Sequence, residues 1–208
     1  MKNYYKNPRS EMARHIDGEP RRILEIGCAA GGFRRNITWP CEYWGVEPFG
    51  EAADAAATQL DRVMRGTFED AAADLPDAYF DLVVCNDVIE HIADTWGMLR
   101  DVRGKLAPGG QFIGSVPNVR YVFNLMALLF ARDWRYKDIG IRDRTHLRFF
   151  TKRSFRRTLA ECGFEVERLT QLMPPQYGWL RVIAGILAFP IGYDIAFLNI
   201  AFRARKPK

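Results

Sequence analysis

The chain has 208 residues, 48% hydrophobic and 26% charged, with 30 Lys and Arg against 25 Asp and Glu, a formal charge of +5. These are ordinary globular values at a length expected of one domain, which excludes a disordered chain, a collagen-like repeat and a coiled coil. A domain of this size buries about 70% of its unfolded surface, so it needs no disulfide or structural metal to fold.

The four cysteines, Cys28, Cys41, Cys85 and Cys162, lie far apart with no CxxC pair. That spacing suits a reduced protein better than a zinc site or a secreted disulfide scaffold. Met1 to Arg14 is polar and basic, without the apolar core of a signal peptide. The longest uncharged stretch near the end, Val182 to Tyr193, has 12 residues and contains Pro190, whereas a spanning helix needs about 20. A cytoplasmic location is expected, with peripheral contact at a membrane surface left open.

Ile23-Leu24-Glu25-Ile26 reads as a short buried strand ended by Gly27, and Gly31 to Asn36 as the start of a helix. Glu42 to Val46 is a second strand, followed by an Ala-rich helix from Glu51 to Leu60. Arg62-Val63-Met64 is a third strand and Phe80 to Cys85 a fourth. A helix from Thr95 to Leu106 should stop at Pro108-Gly109-Gly110, before a fifth strand from Gln111 to Val116. Apolar strands alternating with helices predict a parallel α/β sheet covered on both faces.

After Pro117 the pattern changes. Val119 to Phe130 is apolar and helix-like, and Arg132 to Arg148 polar and irregular. Thr151 is an N-cap for a helix to Glu161, with Gly163 as its stop. Phe164 to Leu169 is a sixth strand, Trp179 to Leu187 another helix and Ile195 to Ala204 a last strand. No repeat or linker divides the chain, so residues 1–208 read as one domain, with a short N-terminal segment at 1–20. Residues 118–150 form an insert where the ligand crevice of an open α/β sheet lies.

Glycines between a strand and a helix let a ligand approach the backbone, or simply make a turn. Glu47 ends the second strand, where a carboxylate can accept both hydroxyl protons of a ribose, and Phe49 can lie against an adenine face. A dinucleotide template, G-x-G-x-x-G, fits Gly27, Ala29 and Gly32 only with Ala at its middle glycine. The alternative, acidic-x-Gly-x-x-x-Gly, fits Glu25, Gly27 and Gly31 fully. Glu25 decides between them, because a carboxylate repels a pyrophosphate and suits an ammonium such as that of S-adenosylmethionine.

Four segments then resemble a class I S-adenosylmethionine-dependent methyltransferase. They are Leu24-Glu25-Ile26-Gly27-Cys28-Ala29-Ala30-Gly31, Val46-Glu47-Pro48, Phe80-Asp81-Leu82-Val83-Val84-Cys85-Asn86-Asp87-Val88-Ile89-Glu90-His91, and Leu106-Ala107-Pro108-Gly109-Gly110. The resemblance covers about Ile23 to Arg205, and Asp143 to Thr151 is similar to the small-molecule branch that includes ubiquinone-type O-methyltransferases. Related sequences occur in bacterial polysaccharide and lipid-sugar pathways. The resemblance implies a Rossmann-like seven-stranded sheet, order 3-2-1-4-5-7-6, with strand 7 antiparallel. It also implies that Glu25, Gly27 and Gly31, in the loop that includes Cys28 and Ala29, hold the methionine part of the cofactor. Glu47 and Pro48 would meet the ribose, Phe49 the adenine, Thr67 and Phe68 the adenine edge, and Asn86 and Asp87 would lie near the sulfonium. Ala29 departs from the glycine of many members.

The chain has three histidines. His15 reads as a solvated surface residue. His91 and His146 are candidate catalytic bases, or packing and capping residues that shape their loops. No metal site is expected from Glu90, His91 and His146, since no ligand pair has helix-face spacing such as i, i+4.

From Arg132 to Thr158 ten Arg and Lys face three Asp, a net +7 that leaves −2 for the rest of a +5 chain. A positive rim on the acceptor side would concentrate an anionic, small or lipid-linked acceptor. Arg156 and Arg157 read as a solvated helix face, and Phe149, Phe150 and Phe155 as inward-packing. Nucleic acid is not favoured, because no recognised module is present. The expected activity is methyl transfer to an oxygen, ahead of nitrogen or carbon, giving S-adenosylhomocysteine. Two other readings stand beside it, a non-catalytic cofactor-binding subunit and an NAD-binding reductase.

Overall fold

A computed structural model of the chain describes residues 8–172 and 193–208. Seven strands form one sheet in the order β3-β2-β1-β4-β5-β7-β6. They are β1 (Arg22–Ile26), β2 (Glu42–Glu47), β3 (Arg62–Arg65), β4 (Phe80–Asn86), β5 (Leu106–Pro117), β6 (Glu165–Leu172) and β7 (Asn199–Arg205). The first five pair in parallel, and β7 lies antiparallel between β5 and β6. This is the topology that the sequence resemblance implied.

Alternation along each strand explains why helices cover both faces. Leu24 and Ile26 of β1, Val83 and Cys85 of β4 and Phe112 and Val116 of β5 share one core cluster, while Ile23, Leu82, Val84 and Ile113 share the other. The first cluster is closed by α3 (Phe68–Ala71), α4 (Thr95–Lys105) and α6 (Lys152–Glu161) through Phe68, Met98, Leu99, Val102, Phe155 and Leu159. The second is closed by α1 (Ser10–Ala13) through Met12 and by α2 (Gly50–Ala56) through Ala56.

Several boundaries differ from the sequence reading. The helix expected from Gly31 is one 3-10 turn, Gly32–Asn36, followed by extended Ile37. The helix after β2 ends its regular part at Ala56. Pro108-Gly109-Gly110 is no stop but a bulge within β5. Leu106 already pairs with Phe80, the next pair is Gln111 with Leu82, and Gly109 sits at φ +75°. At the chain's end Tyr193–Ala196 is a 3-10 turn, and the strand begins only at Asn199. The helix expected from Trp179 to Leu187 lies outside the described residues.

Thr151 caps α6 as expected, accepting from the Ser154 N–H at 3.1 Å, and Gly163 follows at φ +81°. Phe150 and Phe155 are buried, but Phe149 is 40% exposed and meets Trp134 edge-on at 5.2 Å. Arg156 and Arg157 are exposed. After β5, α5 (Val122–Met126) continues into a wider π turn, Ala127–Ala131. Its apolar side chains are largely uncovered, with Leu129 at 70% and Phe130 at 78% exposure. No helix among the described residues is long and apolar enough to cross a membrane.

Gly27 shows how tightly the loop after β1 is fitted. It sits at φ +71°, and a Cβ there would lie 2.5 Å from a methyl of Val88. We expect Gly27→Ala to lower stability by about 2 kcal/mol or more, through backbone strain and overpacking. Adding Val88→Ala should recover only the steric share. Thermal denaturation of the single and double variants measures both parts.

Candidate active site

Parallel pairing places the carboxyl ends of β1, β2 and β4 side by side, since Ile26 is in register with both Val46 and Cys85. The strand order reverses direction at β1, which makes this end the crevice where an open α/β sheet takes ligands.

The glycine loop is tied to β2. The N–H groups of Gly27 and Cys28 donate to the Val46 carbonyl at 2.9 and 3.2 Å. Glu47 is buried, and its two carboxylate oxygens accept from the Ala29 N–H at 2.8 Å and the Phe49 N–H at 3.1 Å. Burial pushes its pKa up, opposed by these two N–H donors. Each oxygen keeps a second lone pair, which can accept a ribose hydroxyl proton. Ala29 itself is at φ +48°, the left-handed region that explains why glycine suits this position. The Cys28 side chain is buried in the core, so this residue can meet a ligand only through its main chain. Pro48 and Phe49 are exposed at the mouth, Phe49 by 61%.

Glu25 is buried one turn of the pleat before the loop and accepts from the Tyr43 hydroxyl at 2.8 Å. Burial raises its pKa to about 8, with the Tyr43 bond opposing and the Glu47 charge adding to the rise. The Thr67 hydroxyl caps α3 through Asp70, and the Phe68 ring packs in the core. That segment therefore offers a ligand its backbone rather than these side chains.

At the end of β4, the Asn86 side-chain oxygen is buried without a hydrogen-bond partner among the described residues. Asp87 sits at φ +54° and gathers donors that sequence reading missed. Ser115 donates to it at 2.7 Å and Asn199 at 2.8 Å, and the Arg9 guanidinium pairs with its other oxygen. Arg9 also reaches the Ser115 hydroxyl at 2.9 Å, which ties the N-terminal segment across this end of the sheet. The three partners come from distant parts of the chain, and no local pattern marks them. His15, expected on the surface, is buried and bonds Thr170 at 2.6 Å, and burial lowers its pKa.

His91 and His146 come together. Their rings meet edge-on with centroids 4.7 Å apart. The contact is built by the Glu90 carbonyl, which accepts the N–H groups of Leu147 and Arg148 at 2.8 and 3.0 Å and so docks the insert on the turn after β4. One potential ligand atom from each of Glu90, His91 and His146 lies within 4.8 Å of the others. Helix-face spacing was the wrong test for this cluster, because a turn and a distant loop supply it.

The chain belongs to the methyltransferase-domain family Methyltransf_23, whose model matches residues 1–169. Its sheet order is that of the class I fold. It is 29% identical over 138 residues to a ubiquinone biosynthesis O-methyltransferase of Aeromonas salmonicida, covering 63% of this chain and 57% of that one. It is 31% identical over 120 residues to the enzyme of that name from Pseudomonas syringae pv. tomato, covering 53% and 49%. The chain thus spans about half the length of these relatives. A crystal structure of an S-adenosylmethionine dependent methyltransferase from Mesorhizobium loti superposes with a TM-score of 0.67 at 20% identity, over 94% of this chain and 96% of that one.

Glu25 has a pH signature. Its folded pKa of about 8 exceeds the ordinary 4.5, so the folded state holds a proton that the unfolded state gives up between these values. Stability should therefore fall as pH rises from about 4.5 to about 8. Glu25→Gln should remove that part of the slope. Melting temperatures of both proteins across this range measure the difference; parallel curves would show that Glu25 keeps an ordinary pKa in the fold.

Proposed function

We propose that this protein is an S-adenosylmethionine-dependent methyltransferase acting on an oxygen, ahead of nitrogen or carbon, of a small or lipid-linked, anionic acceptor. The observation that carries the reading is the histidine pair held by the insert beside the end of β4, next to the row formed by Gly27, Glu47 and Asn86.

In this reading Glu47 accepts the ribose hydroxyls, and Phe49 lies along the adenine. Glu25 and the unpartnered Asn86 oxygen receive the ammonium of the methionine part, a cation that returns Glu25 to its charged form. The Arg9–Asp87 pair fixes the N-terminal segment over the cofactor. The cofactor supplies an activated methyl group, and the protein's task is alignment and exclusion of water, which proximity rewards by several kcal/mol. The acceptor oxygen attacks the methyl carbon as the carbon–sulfur bond breaks. His91 or His146, each with one ring nitrogen facing a backbone carbonyl, takes the hydroxyl proton on the other.

The O-methyltransferase relatives support oxygen as the acceptor atom. An anionic, lipid-linked acceptor is supported by the basic insert and by the uncovered apolar helix before it.

Calorimetric titration with S-adenosylhomocysteine, with NADH as the control, tests the cofactor. We expect binding of the former alone, and a loss of at least tenfold in Glu47→Ala, since charge-assisted hydrogen bonds contribute about 1.5–3 kcal/mol each. Unchanged affinity in Glu47→Ala would remove the ribose assignment. His91→Ala and His146→Ala should lower turnover by about 10²-fold or more with the cofactor affinity kept.

A further inference from the structure

We propose that Glu90, His91 and His146 form a binding site for a divalent transition-metal cation. The argument starts from Glu90. Its side chain is 1% exposed, and neither carboxylate oxygen has a hydrogen-bond partner among the described residues. A buried carboxylate without donors or a countercharge is strongly unfavourable. His146 Nε2 stands 3.9 Å from Glu90 Oε1, too far for a hydrogen bond.

The two histidines are set up as ligands. His91 Nδ1 lies 3.2 Å from the Thr145 carbonyl, and His146 Nδ1 lies 3.1 Å from the Ile141 carbonyl. A carbonyl only accepts, so each Nδ1 carries a hydrogen, and in the neutral ring each Nε2 offers its lone pair. This is the outer-shell arrangement that orients metal-bound imidazoles. Two imidazole Nε2 atoms and a buried carboxyl group then converge.

The geometry leaves room for an ion. One donor atom from each residue lies within 4.8 Å of the others. A cation about 2.0–2.2 Å from each ligand in tetrahedral geometry would bring the donors to about 3.4 Å apart, a closure that side-chain rotation supplies at half-buried His91. Two nitrogens and one oxygen favour Zn²⁺, Co²⁺ or Mn²⁺ over Mg²⁺ or Ca²⁺, which prefer oxygen donors. Three protein ligands leave coordination positions open, the pattern of a catalytic site rather than a structural one.

The use of this site rests on the methyltransferase reading, but its existence does not. An acceptor hydroxyl at an open position would have its pKa lowered and pass its proton to bulk water. Its oxygen would then form the bond to the methyl carbon as the carbon–sulfur bond breaks. A ligated Nε2 cannot also take a proton, so this role and the general-base role exclude each other.

The test uses the full chain without a polyhistidine tag, first stripped with a chelator. Titration with Co²⁺ should give one bound ion per chain and the visible absorption of a nitrogen-ligated cobalt site, both displaced by Zn²⁺. Glu90→Gln, His91→Ala and His146→Ala should each weaken binding by about tenfold or more, with folding checked by circular dichroism. Absence of cobalt binding, binding undiminished in the two histidine variants, or a preference for Mg²⁺ would overturn the proposal. S-adenosylhomocysteine titration of the stripped protein separates the two readings. Retained binding without cobalt binding refutes the metal site and keeps the methyltransferase. Cobalt binding without cofactor binding does the reverse.

Discussion

The site depends on one constraint, the parallel pairing of β1 with β2 on one edge and β4 on the other. Strands in parallel register end together, so the residues that follow them emerge as a row. That row holds the glycine loop, Glu47 and Asn86. The main chain must pass close to its neighbours there, and the loop accommodates this with positive φ at Gly27, Ala29 and Gly31. Three hydrogen bonds then close it onto β2, two to the Val46 carbonyl and one to the Glu47 carboxylate. The crevice is therefore shaped before any ligand arrives, with its donors and acceptors already placed.

Three buried glutamates border this end of the sheet, and each meets the cost of burial differently. Glu25 has one donor, Tyr43, and a pKa raised far enough to hold a proton near neutrality. Glu47 has two backbone donors and uses them to fasten the loop. Glu90 has none among the described residues, and burial with the charge of Asp87 holds its pKa well above the usual carboxylate range. Buried ionisable groups left incompletely satisfied are where a fold stores capacity for binding, because a cation or donor brought by a ligand gains what the apo state lacks.

The insert joins these parts. It is anchored where the Val119 N–H donates to the Phe150 carbonyl at 2.9 Å and where the Glu90 carbonyl accepts from Leu147 and Arg148. Asn118 adds bonds to the carbonyls of Asp194 and Phe197 at 2.8 and 3.0 Å. Between its anchors the apolar helix with Leu129 and Phe130 stands exposed. A rigid return to Glu90 and an uncovered apolar helix serve different ends. The first places His146 against His91, and the second leaves apolar surface in solvent.

Much of this was legible in the sequence. Strand periodicity located β1 to β5 within a residue or two, except that β5 starts at Leu106, and the motif order implied the antiparallel closing strand that periodicity alone does not give. Thr151 as a cap and Glu47 as a buried acceptor at the end of β2 were visible because their causes are local, a cap residue before a helix and a carboxylate at a strand's end. The sequence by itself thus determined the parallel strands and, through the resemblance, the sheet order, because strand signals sit within a few residues of one another. Only the tertiary structure decided that Asp87 is held by Arg9, Ser115 and Asn199, that His15 is buried, and that Glu90 and His91 face His146 from across the 54 residues that separate the two histidines. Those contacts arise from chain crossings, and spacing along a chain carries no record of which distant loop returns to which turn.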